Sequence, residues 1–280
     1  MPPLSLCPLT IIRATHREMV EAVAAGGFAS VGLRLIAPRP GDPVHPLVGD
    51  SRAIRDLRQI MDDHGVGLFD IESLWLSPAT DPAAARPALE ACAELGGRYV
   101  LAAGNDPDWP RMVANFAAVC ALAAEYGLRV GIEPTSYCVI RALAQADALL
   151  RDAQVDNAGI LVDALHFARG GGRTADLAAI APDRFAYAQI CDAQASAPAD
   201  EAGLMAEARS GRLLPGEGHL PLDAILDALP PGLPIGVEAP TAAFHTLPLD
   251  ECARLAGSAT RAFFIRRARR KAANRSKAST

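Results

Sequence analysis

The sequence has little that points to a membrane-bound, secreted or nucleic-acid-binding protein. No apolar run is long enough to span a bilayer, and the N-terminus lacks the basic and apolar segments of a signal peptide. The six cysteines are scattered with no C-x-x-C pair, which disfavours a zinc cluster or a disulfide framework. The net charge of −5 gives no overall attraction to nucleic acid or to a membrane surface. We therefore expect a cytoplasmic protein with buried thiols, no nucleic-acid partner and no membrane contact.

The charge is nevertheless distributed unevenly along the chain. Residues 266–280 contain seven Lys or Arg and no Asp or Glu. We interpret this segment as a basic, disordered C-terminal tail, with a contact to a polyanion as the alternative. Residues 1–265 contain no obvious linker or internal repeat, and we expect them to form a single domain.

The rest of the sequence alternates short apolar runs with longer Ala- and Leu-rich amphipathic stretches. Eight such alternations fit the length, at about 35 residues for each strand and helix. Parallel strands need a crossover, usually a helix, between them. The sequence therefore predicts the α/β class and a (β/α)₈ TIM barrel. The predicted strands are Leu4–Cys7, Ser30–Ile36, Gly67–Leu76, Arg98–Ala103, Leu128–Glu133, Gly159–Val162, Phe185–Asp192 and Ile235–Glu238.

Polar side chains stand where the last four predicted strands end, namely Glu133, Asp163, Gln189 and Glu238. In a barrel these ends converge on one mouth, where three carboxylates would repel one another. A divalent cation removes that conflict. Because all four side chains offer oxygen, the set suits Mg²⁺ or Mn²⁺, with Co²⁺ as a further candidate, better than structural Zn²⁺.

Four more residues are candidates for contact with a substrate at the same mouth. His166 follows Asp163 by three positions and either donates to a substrate oxygen, acts as an acid or base, or packs beneath a loop. Arg212 precedes a Gly-flanked turn that includes Glu217; it grips an oxygen-rich group or is a surface cation. Glu72 lies in the third strand and either lines the mouth or is a buried partner of an arginine.

Five short motifs resemble the sugar phosphate isomerase/epimerase family, the xylose isomerase-like TIM barrels. They are GIEPT at 131–135, DALH at 163–166, QICD at 189–192, RLLPGEG at 212–218 and VEAP at 237–240. The family includes hydroxypyruvate isomerase, inosose dehydratase and the ketose 3-epimerases. The resemblance implies one divalent metal, with Zn²⁺ also among the candidates, on Glu133, Asp163, Gln189 and Glu238. The fourth ligand is often His in this family, and Gln189 is similar to the hydroxypyruvate isomerase branch.

The resemblance also implies the chemistry. Glu133 and Glu238 would exchange the substrate proton as catalytic residues, through a metal-stabilised enediolate of a sugar, keto-sugar or related hydroxy-carbonyl compound. His166 and Arg212 would bind substrate oxygens. The expected activity is that of an isomerase or epimerase acting on a small sugar-like molecule. A homo-oligomer, either a dimer or a tetramer, is compatible with this expectation. The alternatives are a metal-dependent dehydratase or lyase on an inosose-like or keto-acid substrate, and a barrel with only a binding role. The extra ligands of the endonuclease IV cluster are missing, which argues against DNA repair.

Overall fold

Eight parallel strands close into one barrel in the order in which they occur along the chain, which confirms the predicted (β/α)₈ fold. The structure, a computed structural model, describes residues 2–39, 41–42 and 44–278, and their side chains as far as residue 274. The strands are β1 (Leu4–Leu6), β2 (Ser30–Arg34), β3 (Gly67–Leu76), β4 (Tyr99–Gly104), β5 (Arg129–Glu133), β6 (Ala158–Asp163), β7 (Phe185–Ile190) and β8 (Ile235–Val237). Strand β1 pairs with both β2 and β8, and this closes the ring.

Helices separate the strands and form the outer layer. They are α1 (His16–Ala25), α2 (Ser51–His64), α3 (Arg86–Glu94), α4 (Trp109–Ala124), α5 (Leu143–Ala153), α6 (Ala164–Arg169), α7 (Thr174–Ala178), α8 (Glu201–Ser210), α9 (Leu222–Ala228) and α10 (Leu249–Ala278). A capping box starts α1, since Thr15 and Glu18 each accept from the other's backbone N–H. No helix of the described residues is long and apolar enough to cross a membrane.

An aromatic cluster fills the barrel near the N-terminal ends of its strands. The rings of Phe69, Tyr99 and Tyr187 lie about 5 Å apart, with centroid distances of 4.9–5.1 Å. Gly131 makes room for this cluster, because a Cβ atom there would lie 2.9 Å from Tyr187 Cε1. We call these three rings the aromatic floor. It leaves the opposite end of the barrel, at the carboxyl ends of the strands, as the open mouth.

Two helices, α6 and α8, lie in the segments that follow β6 and β7. Helix α8 lies within the polar insertion after β7, and α6 follows Asp163 directly. Asp163 caps α6, because its Oδ1 accepts from the backbone N–H of His166 at 2.8 Å. Helix α8 is held by a contact with α6, since Arg169 of α6 pairs with Glu207 of α8 at 2.6 Å. This contact between distant segments could not be read from the composition of the insertion.

Helix α10 continues through Ala278, in contrast to the disordered tail predicted for residues 266–280. Ala, Arg and Lys favour helix, and basic side chains near a helix C-terminus interact well with its dipole. The segment also contacts α9: Arg267 and Arg270 pair with Asp223 at 3.0 and 2.6 Å. The carboxylates that anchor it lie more than forty residues away in sequence. Residues 279 and 280 lie outside the described residues.

Candidate metal centre and active site

Three carboxylates from the ends of three strands meet at the mouth of the barrel. Glu133 ends β5, Asp163 ends β6, and Glu238 directly follows β8. All three are buried, and each offers one oxygen within 4.8 Å of the others'. We call them the acidic cluster. This is a spacing that one small cation can bridge.

Gln189 lies beside the acidic cluster, paired in register with Asp163 of the neighbouring strand. Its amide nitrogen donates to Glu72 Oε1 at 3.1 Å and to Cys7 Sγ at 3.3 Å. The amide oxygen of Gln189 is buried and has no partner among the described residues.

The acidic cluster and Gln189 fit a hard divalent cation. Glu133 Oε1, like the Gln189 oxygen, is buried without a hydrogen-bond donor among the described residues. Buried polar atoms normally have partners. These two oxygens, one within the acidic cluster and one beside it, therefore fit a site for a cation. The other oxygen of Glu133 accepts from Thr135 Oγ1 at 2.8 Å, which fixes the carboxylate plane. Oxygen donors of this kind suit Mg²⁺ or Mn²⁺, and they also accept Zn²⁺ or Co²⁺.

Arg212 is buried at the centre of the site, so its interpretation as a surface cation is wrong. Only 1% of the residue is exposed. Its guanidinium donates to Asp163 Oδ2 at 2.6 Å and pairs with Glu238 Oε2 at 2.8 Å. Its Nε donates to the backbone carbonyl of Ala208, which ties the side chain to α8. Arg212 therefore shares two carboxylates with any cation bound to the acidic cluster.

One buried arginine does not neutralise the cluster. Burial and the charges of Asp163 and Glu238 raise the pKa of Glu133 well above its usual value. Burial also raises the pKa of Glu238, although Arg212 opposes the shift. Burial opposes ionisation of Asp163 as well, but Arg212 and His166 hold its pKa below the usual value. In the protein alone, Glu133 and Glu238 are therefore shifted toward their protonated forms, and a divalent ion would favour the ionised forms instead.

Glu72 also lines the mouth, and one of its oxygens lies within 4.8 Å of potential ligand atoms of Cys7 and Glu238. Its hydrogen-bond partner is Gln189, and among the described residues neither Arg34 nor Arg212 forms a salt bridge with it. Burial, followed by the charges of Glu238 and Asp70, raises the pKa of Glu72 well above its usual value. Glu72 thus sits where it orients a candidate ligand and still borders the space for a substrate.

His166 lines the mouth and is held in one tautomer. Its Nδ1 accepts from the backbone N–H of Ser136 at 3.4 Å, and Ser136 Oγ lies 3.1 Å from the same atom. A backbone N–H can only donate, so the ring proton resides on Nε2. Burial lowers the pKa of His166 to about 4, which keeps the ring neutral at neutral pH. The side chain is therefore suited to donate a hydrogen bond rather than to act as a base.

The structure does not bring Glu217 to the other candidates. Its side chain is exposed, and it is not among the residues that border the mouth. The turn is held by Asp192, whose carboxylate accepts from the backbone N–H groups of Gly216 and Leu220 at 3.0 and 2.9 Å. Asp192, which also ends the seventh predicted strand, therefore shapes a loop rather than joining the acidic cluster.

The mouth also contains side chains that sequence reasoning missed. The cleft is bordered by Tyr137 and Trp75, whose rings lie 6.3 Å apart, and by Arg39 and Arg209. Tyr137 was within reach of the sequence, because it follows the GIEPT motif by two residues. Arg39 and Arg209 come from a Pro-rich loop and from α8, where no periodic pattern indicates which side chains reach the barrel axis.

Solved structures with the same fold include several with assigned chemistry. The IolI protein with a bound zinc atom is 20% identical, covers 93% of this chain and 96% of its own, and superposes with a TM-score of 0.76. D-allulose 3-epimerase from Methylomonas sp. is 17% identical over 95% of this chain and 97% of its own, with a TM-score of 0.69. AsbF of Bacillus anthracis, a probable 3-DHS dehydratase, is 14% identical over 91% and 97%, with a TM-score of 0.71.

The sequence itself carries the family assignment. No curated protein sequence matches the chain. The family model described as xylose isomerase-like TIM barrel matches residues 20–255, which is most of the barrel and includes all three members of the acidic cluster. The chain belongs to the xylose isomerase-like TIM barrel family.

Proposed function

We propose that this protein is a divalent-metal-dependent isomerase or epimerase of a hydroxy-carbonyl compound, of the sugar or keto-sugar type. The observation that carries the proposal is the acidic cluster: three buried carboxylates share one small space at the mouth of a xylose isomerase-like barrel. Two orphaned oxygens, on Glu133 and Gln189, face no donor of the described residues. A bound cation would polarise a substrate carbonyl and stabilise negative charge on its oxygen.

Glu133 and Glu238 are the acid and base in this proposal. They approach the mouth from β5 and from the end of β8, so they can reach a substrate from two sides. One takes the proton from the carbon next to the carbonyl, and the other returns a proton at the adjacent carbon or on the opposite face. Burial raises the pKa of both carboxyls above the usual value, which makes each a better proton acceptor when it is ionised.

His166 and Arg212 position the substrate. The Nε2–H of neutral His166 donates to a substrate hydroxyl or carbonyl oxygen without adding charge to the site. Arg212 keeps Asp163 ionised and, through its remaining donor positions, stabilises an oxygen that gains negative charge during proton transfer. Thr135 and Glu72 hold Glu133 and Gln189 in place.

A dehydratase is the second candidate. The same proton abstraction, followed by loss of a β-hydroxyl, would give an unsaturated carbonyl instead of an isomer. The structural similarity to AsbF, a probable 3-DHS dehydratase, supports a dehydratase as the second candidate. The hydroxyl would leave as water with a proton from Glu133 or Glu238, and neutral His166 would donate a hydrogen bond to the departing oxygen.

Isotope exchange distinguishes the two reactions. Protein loaded with Mn²⁺ is incubated in D₂O with ketoses, keto acids and inososes. Deuterium at a carbon next to the carbonyl of an isomeric product supports the isomerase or epimerase, and a new conjugated-carbonyl absorbance supports the dehydratase. The Glu238→Gln variant should lose about 10²- to 10⁴-fold in rate, the usual contribution of a general acid or base.

The control for Glu238→Gln is Glu125→Gln, which makes the same change in an exposed ion pair with Arg86. This variant should retain full activity. Normal turnover by a folded Glu238→Gln variant would remove Glu238 from the mechanism. Absence of exchange with every compound, together with no binding of Mn²⁺, would refute the proposed function.

A further inference from the structure

The outer part of the mouth is basic, in contrast to the acidic cluster beneath it. Arg34 ends β2 and borders the mouth. Its Nε is buried with no hydrogen-bond partner, and no carboxylate of the described residues forms a salt bridge with its guanidinium. A guanidinium in such a position normally has an anionic or carbonyl partner.

Two more arginines border the same space and share one carboxylate. Arg39 and Arg209 both pair with Asp42, at 3.3 and 3.4 Å. The Arg39 guanidinium also lies over the Trp75 ring, 5.8 Å from its centroid, which holds the cation at the wall of the mouth. Asp42 neutralises one of these two charges. The charge of Arg34 opposes the rise that burial causes in the pKa of Glu72 and Glu238, but no carboxylate of the described residues is close enough to form a salt bridge with it. With Arg34, the rim therefore has two guanidinium groups that are free to contact an anion.

We propose that Arg34, supported by Arg39 and Arg209, forms an anion subsite, and that the substrate is a hydroxy-carbonyl compound with a carboxylate or phosphate group. Arginine presents its donors as a planar fork that matches either group. A neutral sugar would leave the buried Arg34 Nε without a charged acceptor, and an unmade buried hydrogen bond is costly. The inference rests on the proposed function in one respect, since it takes the reacting carbonyl to lie at the acidic cluster.

The two ends of the mouth thus select opposite ends of one molecule. The acidic cluster, with its cation, would take the oxygen-rich reacting end. The basic rim would take the anionic end and keep it away from Glu133 and Glu238, which would repel it. Such an arrangement fixes the direction in which a substrate enters and discriminates against uncharged ketoses.

Three small compounds test the subsite because they share one hydroxy-ketone unit. They are dihydroxyacetone, which is neutral, hydroxypyruvate, which has a carboxylate, and dihydroxyacetone phosphate. Their dissociation constants are measured by calorimetry with Mn²⁺-loaded and with EDTA-treated protein. We expect an anionic compound to bind about 10- to 100-fold more tightly than dihydroxyacetone, as for a hydrogen bond to a charged group. Preference for hydroxypyruvate indicates a keto acid, and preference for the phosphate indicates a sugar phosphate.

Substitution of Arg34 connects the preference to this residue. Arg34→Met should reduce the preference for the anionic compound to about threefold or less. Arg34→Lys should retain part of that preference. Arg98→Met removes the same charge from the opposite end of the barrel, where Arg98 is exposed, and should leave the preference intact. Equal binding of the three compounds, binding of none, or a preference that survives in Arg34→Met would overturn the subsite. A preference accompanied by affinities that are the same with and without Mn²⁺ would support the subsite while counting against the metal-dependent reaction.

Discussion

Arg212 shows how strongly single residues are coupled in this site. It is the fully buried cation that pairs with both Asp163 and Glu238. Replacement by Met would leave two buried carboxylates without a partner, and breaking a buried ion pair costs about 3–5 kcal/mol. We therefore expect Arg212→Met to lose a free energy of unfolding of this size in urea at pH 7.5. Arg212→Lys should lose less.

Added Mn²⁺ separates this explanation from a packing defect. The ion should stabilise Arg212→Met more than the wild type, because it then supplies the positive charge that the variant lacks. An equal increment in the two proteins would mean that Arg212 and the cation do not share the carboxylates.

Asp70 gives a prediction about pH at the same scale. It is fully buried in the barrel and accepts from the Tyr187 hydroxyl at 2.8 Å. Burial raises the pKa of Asp70 to about 7. The folded protein therefore binds a proton that the unfolded chain has released, and stability falls as the pH rises from about 4 through 7. Asp70→Asn, which mimics the neutral acid, should be free of this loss.

The measurement is the free energy of unfolding of both proteins at pH 5 and pH 8. Between these values the wild type should lose about 2–3 kcal/mol relative to Asp70→Asn. Ser5→Ala changes another buried polar side chain that has no titratable group. Its free energy of unfolding should differ from that of the wild type by the same amount at pH 5 and pH 8. A constant difference between wild type and Asp70→Asn would contradict the raised pKa of Asp70.

At the scale of elements, the end of α10 depends on α9. Arg267 and Arg270 pair with Asp223, and Arg267 also pairs with Asp227. Asp223→Asn combined with Asp227→Asn should destabilise the protein by about 1 kcal/mol or slightly more in low salt. The effect should shrink in 1 M NaCl, where charges on the surface are screened. Circular dichroism at 222 nm should show partial loss of the last turns of α10.

The matched control is Glu21→Gln in α1, whose partner Arg17 lies one turn earlier on the same exposed helix. This local pair should contribute only a few tenths of a kcal/mol. If the double variant of α9 behaved like Glu21→Gln, the contact with α9 would not be what orders the end of α10.

The sequence predicted the barrel and the acidic cluster because both depend on local patterns. Buried strands that end in a carboxylate, such as β5 at Glu133 and β6 at Asp163, can be recognised one at a time, and barrel closure brings their ends together. The order of α10 and the position of Glu217 depend on distant partners, Asp223 and Asp192. No local pattern encodes these contacts.

The positions of the side chains at the rim also could not be predicted from local sequence patterns. The Pro-rich loop that contains Arg39 has no periodic pattern, so the sequence does not show that this residue reaches Trp75 and borders the mouth. Arg34 was visible at the end of a predicted strand, but that its side chain lacks a carboxylate partner among the described residues could be learned only from the fold.

The whole molecule should respond to metal as one unit. The proposed ligands lie on β5, β6, β7 and after β8, so a bound ion would connect about half of the barrel. Binding only to the folded state at 100 times the dissociation constant adds about 2.7 kcal/mol to the free energy of unfolding. We expect Mn²⁺ to raise the melting temperature by several degrees and EDTA to reverse the shift.

Glu133→Gln should abolish this shift, because it removes a charge from the centre of the donor set. Glu125→Gln, which alters an exposed carboxylate, should leave it unchanged. If Mn²⁺ stabilised wild type and Glu133→Gln equally, the ion would bind elsewhere on the protein.

The aromatic floor has a consequence for how a substrate and a product would reach and leave the proposed active site. The rings of Phe69, Tyr99 and Tyr187 close the barrel beneath the acidic cluster. A substrate and a product would therefore both pass through the mouth. Product must depart before the next substrate can be admitted, and the two therefore exclude each other. Inhibition by product should accordingly be competitive, and a bulky group tethered at the rim should slow entry and exit together.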